Sequence, residues 1–168
     1  MGQQTKEILV QLEAAIQGKK TVVPVLVRIL ELLKGRAIGL WCCEYDILRQ
    51  VGFYAVKEMD VEVRTQFAEF TREVPLENTG LGIVKAIVEK IPAIGTLQGE
   101  KSGLEESSEW LRKFEAQQSY AVPIFEGDQV VGVLAISTSC IHQVGDSEWE
   151  TLANIAAGIG KKKILGML

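Results

Sequence analysis

Apolar residues recur along this chain with two periods, and the switches between them divide it into helices and strands. Over residues 5–17, Ile8, Leu9, Leu12, Ala15 and Ile16 fall on one face at helical spacing, and Gly18-Lys19-Lys20 closes the helix. A second helix is predicted from Thr21, a capping residue, with Pro24 in its first turn, where a missing amide costs nothing. It runs to about Lys34 and is apolar nearly all round, so it is expected to be buried. Residues 36–43 and 46–55 read as a hairpin turning at Glu44-Tyr45. Helical spacing returns at 60–72 (Val63, Phe67, Phe70) and at 80–90 (Ile83, Val84, Ile87, Val88), with Pro75 ending the first of these regions. A short strand at 92–97 and a polar loop at 98–103 lead to a helix over 105–116 that shows Trp110, Leu111 and Phe114.

The strongest strand signal is SYAVPIFEGDQVVGVLAIS, residues 119–137. Gly127-Asp128 suits a two-residue type II′ turn, because glycine accepts a positive φ at the first central position. Val130 to Ile136 is a nearly unbroken apolar run, which predicts a strand in mid-sheet covered on both faces. Pro123 cannot donate to a ladder and should face an edge or an irregularity. After a loop over 140–145, Ser147-Glu148-Trp149-Glu150 has the form of a capping box. It opens a last helix with Trp149, Leu152, Ile155, Ala156 and Ile159 inward and Lys161–Lys163 at its C-terminal end. Two hairpins interleaved with helices predict an α+β fold: a central antiparallel sheet of five to six strands with helices layered on it.

The 168 residues suit one domain, read as an N-terminal helix (1–20), a sheet with pocket helices (21–145) and a C-terminal helix (146–168). A net charge of −4 argues against nucleic acid or an anionic membrane as the main partner. The apolar stretch 22–33 contains Arg28 and Glu31 and is too short to span a bilayer, and no secretory leader is visible. Three cysteines with no CxxC pair imply a reducing, cytoplasmic setting.

Residues 79–160 resemble a GAF domain, the PAS-related sensory module. TGLGIVKAIVEKIPAIGTL is similar to that family's glycine-led helix and short strand. SYAVPIFEGDQVVGVLAIS is similar to its Ser, Val-Pro, Gly-turn, Val-Gly-Val-Leu signature, and DSEWETLANIAAGIG to its closing helix. RAIGLWCCEYDILRQVGFYA fits the opening hairpin less specifically, so the likeness spans roughly residues 20–160. It implies a twisted antiparallel sheet with helices on both faces, a small-molecule pocket between one face and the 105–116 helix, and terminal helices that pair in a homodimer. The candidate ligand contacts are Trp41, Cys43, Trp110, Phe114 and Ser119. The apolar stripes of the 5–17 and 147–165 helices are taken as the dimer surface.

The family's chemical branches fit these residues poorly. Bilin-binding members attach the pigment to a Cys often followed by His. Here Cys140 and His142 are separated by Ile141, which argues against a covalent bilin. The cyclic-nucleotide motif Asn-Lys…Phe…Asp-Glu is replaced by Thr138-Ser139, Val144 and Glu148-Trp149. Free-methionine sulfoxide reductases line the pocket with cysteines, but residues 79–104 contain none, and adjacent Cys42 and Cys43 on a strand must face opposite ways. His142 could serve as a lone haem ligand but lacks a supporting second group. No Ser-His-Asp set, carboxylate pair or phosphate-binding glycine motif is present; Gly80 and Gly82 precede a helix, but position 85 is Lys. The expected function is a non-catalytic sensory or regulatory domain with no identified cofactor and an unknown small ligand. The alternatives are a methionine sulfoxide reductase-like enzyme or a ligand-free interaction scaffold. With no kinase, cyclase or DNA-binding segment in the sequence, it would act on a signalling partner or belong to a larger protein.

Overall fold

A computed structural model describes residues 2–98 and 103–168. The chain runs α1 (Gln3–Gln17), α2 (Val23–Leu33), β1 (Gly35–Glu44), β2 (Ile47–Ala55), α3 (Val61–Phe70), β3 (Glu73–Pro75), α4 (Gly82–Glu89) and β4 (Ala93–Thr96). It continues through α5 (Glu105–Phe114), β5 (Gln118–Glu126), β6 (Gln129–Thr138) and α6 (Ser147–Lys161), with a short 3₁₀ turn at Leu165–Met167. The six strands form one antiparallel sheet in the order β3-β2-β1-β6-β5-β4. No helix among the described residues is long and apolar enough to cross a membrane.

Helices cover both faces, and the two cores differ. On one side α1, α2 and α6 meet Ile38, Leu40, Tyr120, Ile124, Leu134 and Ile136 of the sheet. On the other, α3, α4 and α5 meet Ala37, Trp41, Ala121 and Val133. The β6 run is central in the sheet, as its unbroken apolar character requires. The β5–β6 turn is the two-residue Gly127-Asp128, with Gly127 at φ 61°. Pro123 lies beyond the reach of short β4, which pairs only with Gln118–Ala121, so its missing amide faces no neighbour.

Several local expectations change. The first hairpin turns at Tyr45-Asp46, one residue later than expected, because Glu44 still pairs with Ile47. Residues 73–75 form the edge strand β3 against Ile47–Arg49; a three-residue strand carries no readable period. On α4, Val88 is exposed and Ala86 takes the inward position. The capping box does not form: Asp146 is the N-cap and makes no side-chain cap bond, while the Ser147 hydroxyl donates to Glu148. The expected 98–103 loop falls largely outside the described residues.

The stripes of α1 and α6 do not stand open. The helices pack side by side and parallel, Leu9 against Gly158 and Glu13 joined to Lys162 at 3.3 Å, and both apolar faces are buried in the same core. A homodimer through these helices would have to use their outer faces, where Val10 is 58% exposed.

Gly160 marks the tightest contact of α6. A Cβ there would run into the backbone carbonyl of Phe125, an atom fixed in the sheet. Gly160→Ala should therefore destabilise by about 2 kcal/mol despite alanine's better helix propensity. Gly2→Ala, with nothing within 4 Å, should be neutral. Urea denaturation of the two variants checks this.

Candidate functional site

The side chains of the sheet set the shape of a cavity. On the face toward α3–α5, register aligns Gly95, Ser119, Ser137 and Ala37 in one row across four strands. The adjacent row is Ala93, Ala121, Ala135 and Gly39. Eight neighbouring positions thus carry only Gly, Ala or Ser, and the helices above cannot sink far enough to fill the space. Trp41, two residues on from Gly39 and on the same face, folds its indole back over that glycine; a Cβ at position 39 would strike the ring.

Large rings form the roof. Phe67 of α3 stands 5.0 Å from both Trp110 and Phe114 of α5 and 4.9 Å from Phe53 of β2, mostly edge-on or tilted. Between roof and floor lies a cavity of about 60 Å³. Its lining includes Trp41, Trp110, Phe114 and Ser119, four of the five residues expected from the sequence. The fifth, Cys43, shares that face of β1 but lies outside the lining, near the strand's end, with its thiol 3.8 Å from the Tyr45 carbonyl. Cys42 packs into the opposite core. Neither Cys140 nor His142 borders the cavity. Cys140 is exposed, and the His142 backbone is gripped by the Gln118 amide, which donates to its carbonyl at 2.9 Å and accepts from its N–H at 2.8 Å.

Among the described residues, the lining contains no ionisable group whose side chain faces the space. Tyr120 borders it through its main chain and turns its ring into the other core, stacked at 4.6 Å on Trp149. Burial, reinforced by the carboxylates of Glu148 and Asp146, pushes the Tyr120 hydroxyl up to about 12. The polar groups facing the cavity are hydroxyls. Ser107 accepts a hydrogen bond from the Gly82 N–H at 2.8 Å. Ser137, absent from the expected site, is 5% exposed and its hydroxyl has no partner among the described residues. Its signal was the alternation Val133, Ala135, Ser137 against Leu134, Ile136, which separates small from large side chains within one apolar run.

The two main roof helices are pinned at their C-terminal ends by the sheet. A β-bulge opposite Leu40/Trp41 brings Gln50 beside Trp41. The Trp41 indole N–H donates to the Thr71 carbonyl at 2.8 Å, and the Gln50 amide donates to the Ala68 carbonyl at 3.2 Å and the Thr71 hydroxyl at 3.0 Å. These bonds satisfy carbonyls that a helix end leaves open. Arg36 does the same for α5, with Nε and Nη2 donating to the Phe114 carbonyl at 3.1 and 3.0 Å. The start of α3 is capped by Asp60 but otherwise loosely held, with Val61 63% exposed.

Gln50→Leu should cost roughly 1–3 kcal/mol in urea denaturation by removing a donor from the Ala68 carbonyl and leaving the Thr71 hydroxyl only its bond to the Phe67 carbonyl. It should also speed amide exchange in α3 while leaving α1 unchanged. Burial, aided by Glu44 for Cys42 and Asp46 for Cys43, raises both thiols above their ordinary range, so little reactive thiolate forms. Iodoacetamide followed by mass spectrometry should label exposed Cys140 well before Cys42 or Cys43.

No family model matches the chain, and no curated protein matches it. Solved structures do. A methyl-accepting chemotaxis protein (residues 122 to 287) superposes with a TM-score of 0.64 at 14% identity, covering 93% of this chain and 96% of that one. The phycoerythrobilin-bound GAF domain of a cyanobacterial phytochrome gives 0.60 at 12% identity over 99% and 100%. The type II free methionine-R-sulfoxide reductase of Thermoplasma acidophilum gives 0.60 at 14% over 89% and 92%. Signalling domains and reductases thus share this architecture, and the chain has the fold of a GAF domain.

Proposed function

We propose that this is a non-catalytic sensory domain that binds a small molecule between its sheet and the α3–α5 roof. The observation carrying the reading is the cavity: walled by five aromatic rings, floored by Gly, Ala and Ser, and lined by no cysteine among the described residues. Such a site suits binding, since apolar walls with a few polar groups are what small-ligand sites use. The likeness to a phytochrome GAF domain and a chemotaxis protein supports a sensory role.

The reductase reading draws support from the shared fold alone. A thiol-based reduction needs a thiolate at the substrate, whereas Cys42 faces the other core, Cys43 lies outside the lining and burial raises both. A free amino acid also carries two charges, and the described residues of the cavity offer no side chain to pair with either.

Native mass spectrometry of the purified protein is expected to retain a bound small molecule. NADPH-coupled turnover of free methionine sulfoxide is expected to stay at the level of buffer alone. Turnover that disappears in Cys43→Ser or Cys42→Ser would establish an enzyme instead.

A further inference from the structure

Resting on that reading of the cavity, we infer its ligand class: an uncharged, planar molecule whose hydrogen-bonding edge is held by the Ser137 hydroxyl, with Ser119 beside it. A buried hydroxyl without a partner destabilises a fold by about 1–3 kcal/mol, so such groups are ordinarily satisfied. Ser137 is 95% buried, its Oγ has no partner among the described residues, and strand alternation turns it toward the cavity while Ile136 enters the other core. Ser119 sits directly across from it on β5. Each hydroxyl can donate and accept, so the row fits a group that does both, such as a phenolic O–H, an amide edge or a ring N–H.

Charge and shape narrow the class further. Among the described residues no ionised side chain faces the space, and an ion desolvated against them would stand unpaired. The rings of Trp41, Phe53, Phe67, Trp110 and Phe114 favour a flat partner. Size adds a condition. A dry cavity of about 150 Å³ holds benzene, and this one measures about 60 Å³, so a ring enters only if the roof yields. The weakest part of the roof is α3, pinned at its C-terminal end and exposed at its start.

The test uses phenol, toluene and benzoate as probes, followed through the indole N–H signals of Trp41 and Trp110 by NMR. Phenol should bind about 3–10-fold tighter than toluene, the worth of one net hydrogen bond, and benzoate should not bind. Ser137→Ala should bring phenol to the affinity of toluene and leave toluene unchanged; the variant loses an unsatisfied hydroxyl and should fold at least as well. Equal binding of phenol and toluene, indifference to Ser137→Ala, or binding of benzoate overturns the inference while leaving the cavity a binding site. If none of the three binds at tens of millimolar, the cavity reading falls and the inference with it. Ser137 would then be satisfied by a trapped water.

Discussion

The constraint on which the rest depends is a difference in side-chain size between the two faces of one sheet. In β1, β5 and β6 the positions facing α1, α2 and α6 carry Ile38, Leu40, Tyr120, Ile124, Leu134 and Ile136. The alternate positions facing α3–α5 carry Ala37, Gly39, Ser119, Ala121, Ala135 and Ser137. A sheet paved with large side chains on one face packs helices tightly there. Small side chains on the other leave the helices standing off on their own rings. The cavity follows from this arrangement, because Phe67, Trp110 and Phe114 meet one another before they meet the floor.

That arrangement would collapse if the roof helices were free to settle, and the sheet holds them at their ends. Arg36, Trp41 and Gln50, all on β1 and β2, donate to carbonyls or a hydroxyl at the C-terminal ends of α5 and α3. The bulge that places Gln50 opposite Trp41 is therefore part of the same device. Trp41 has two roles: its ring covers Gly39 as floor, and its N–H anchors the roof. The anchoring is polar and directional, whereas the closure over the cavity is apolar and adaptable.

Most helices and strands were readable from period alone, because burial of one face forces apolar residues to recur at 3.6 or 2. The likeness to GAF signatures then pointed to Trp110, Phe114 and Ser119 beside the predicted pocket. Other features depend on information that hydrophobicity does not carry. β3 is held by its neighbour and is too short for a pattern. Ser137 and the Gly/Ala rows lie in a run that reads as uniformly apolar, and only register between distant strands shows that Gly95, Ser119, Ser137 and Ala37 are neighbours. Cys43 shares the face of Trp41, but the cavity ends near Trp41, and distance along a strand is not set by alternation. The apolar stripes of α1 and α6, expected as a dimer surface, are buried against each other and the sheet, because a stripe alone does not say whether its cover lies within the chain or outside it.

The opposite core explains why changes at the cavity could be felt at α1 and α6. Tyr120 and Ile136 border the cavity through their main chain and pack their side chains beneath the terminal helices, Tyr120 directly on Trp149 of α6. Ser119 and Ser137 are their immediate chain neighbours. A ligand that shifts either serine must move a peptide unit whose other end carries a fully packed side chain on the far face. Interiors this dense transmit displacement because they have little void to absorb it. The sheet is thus one peptide thick between a soft site and a stiff helix pair. The size difference that makes the cavity also makes one side compliant and the other rigid.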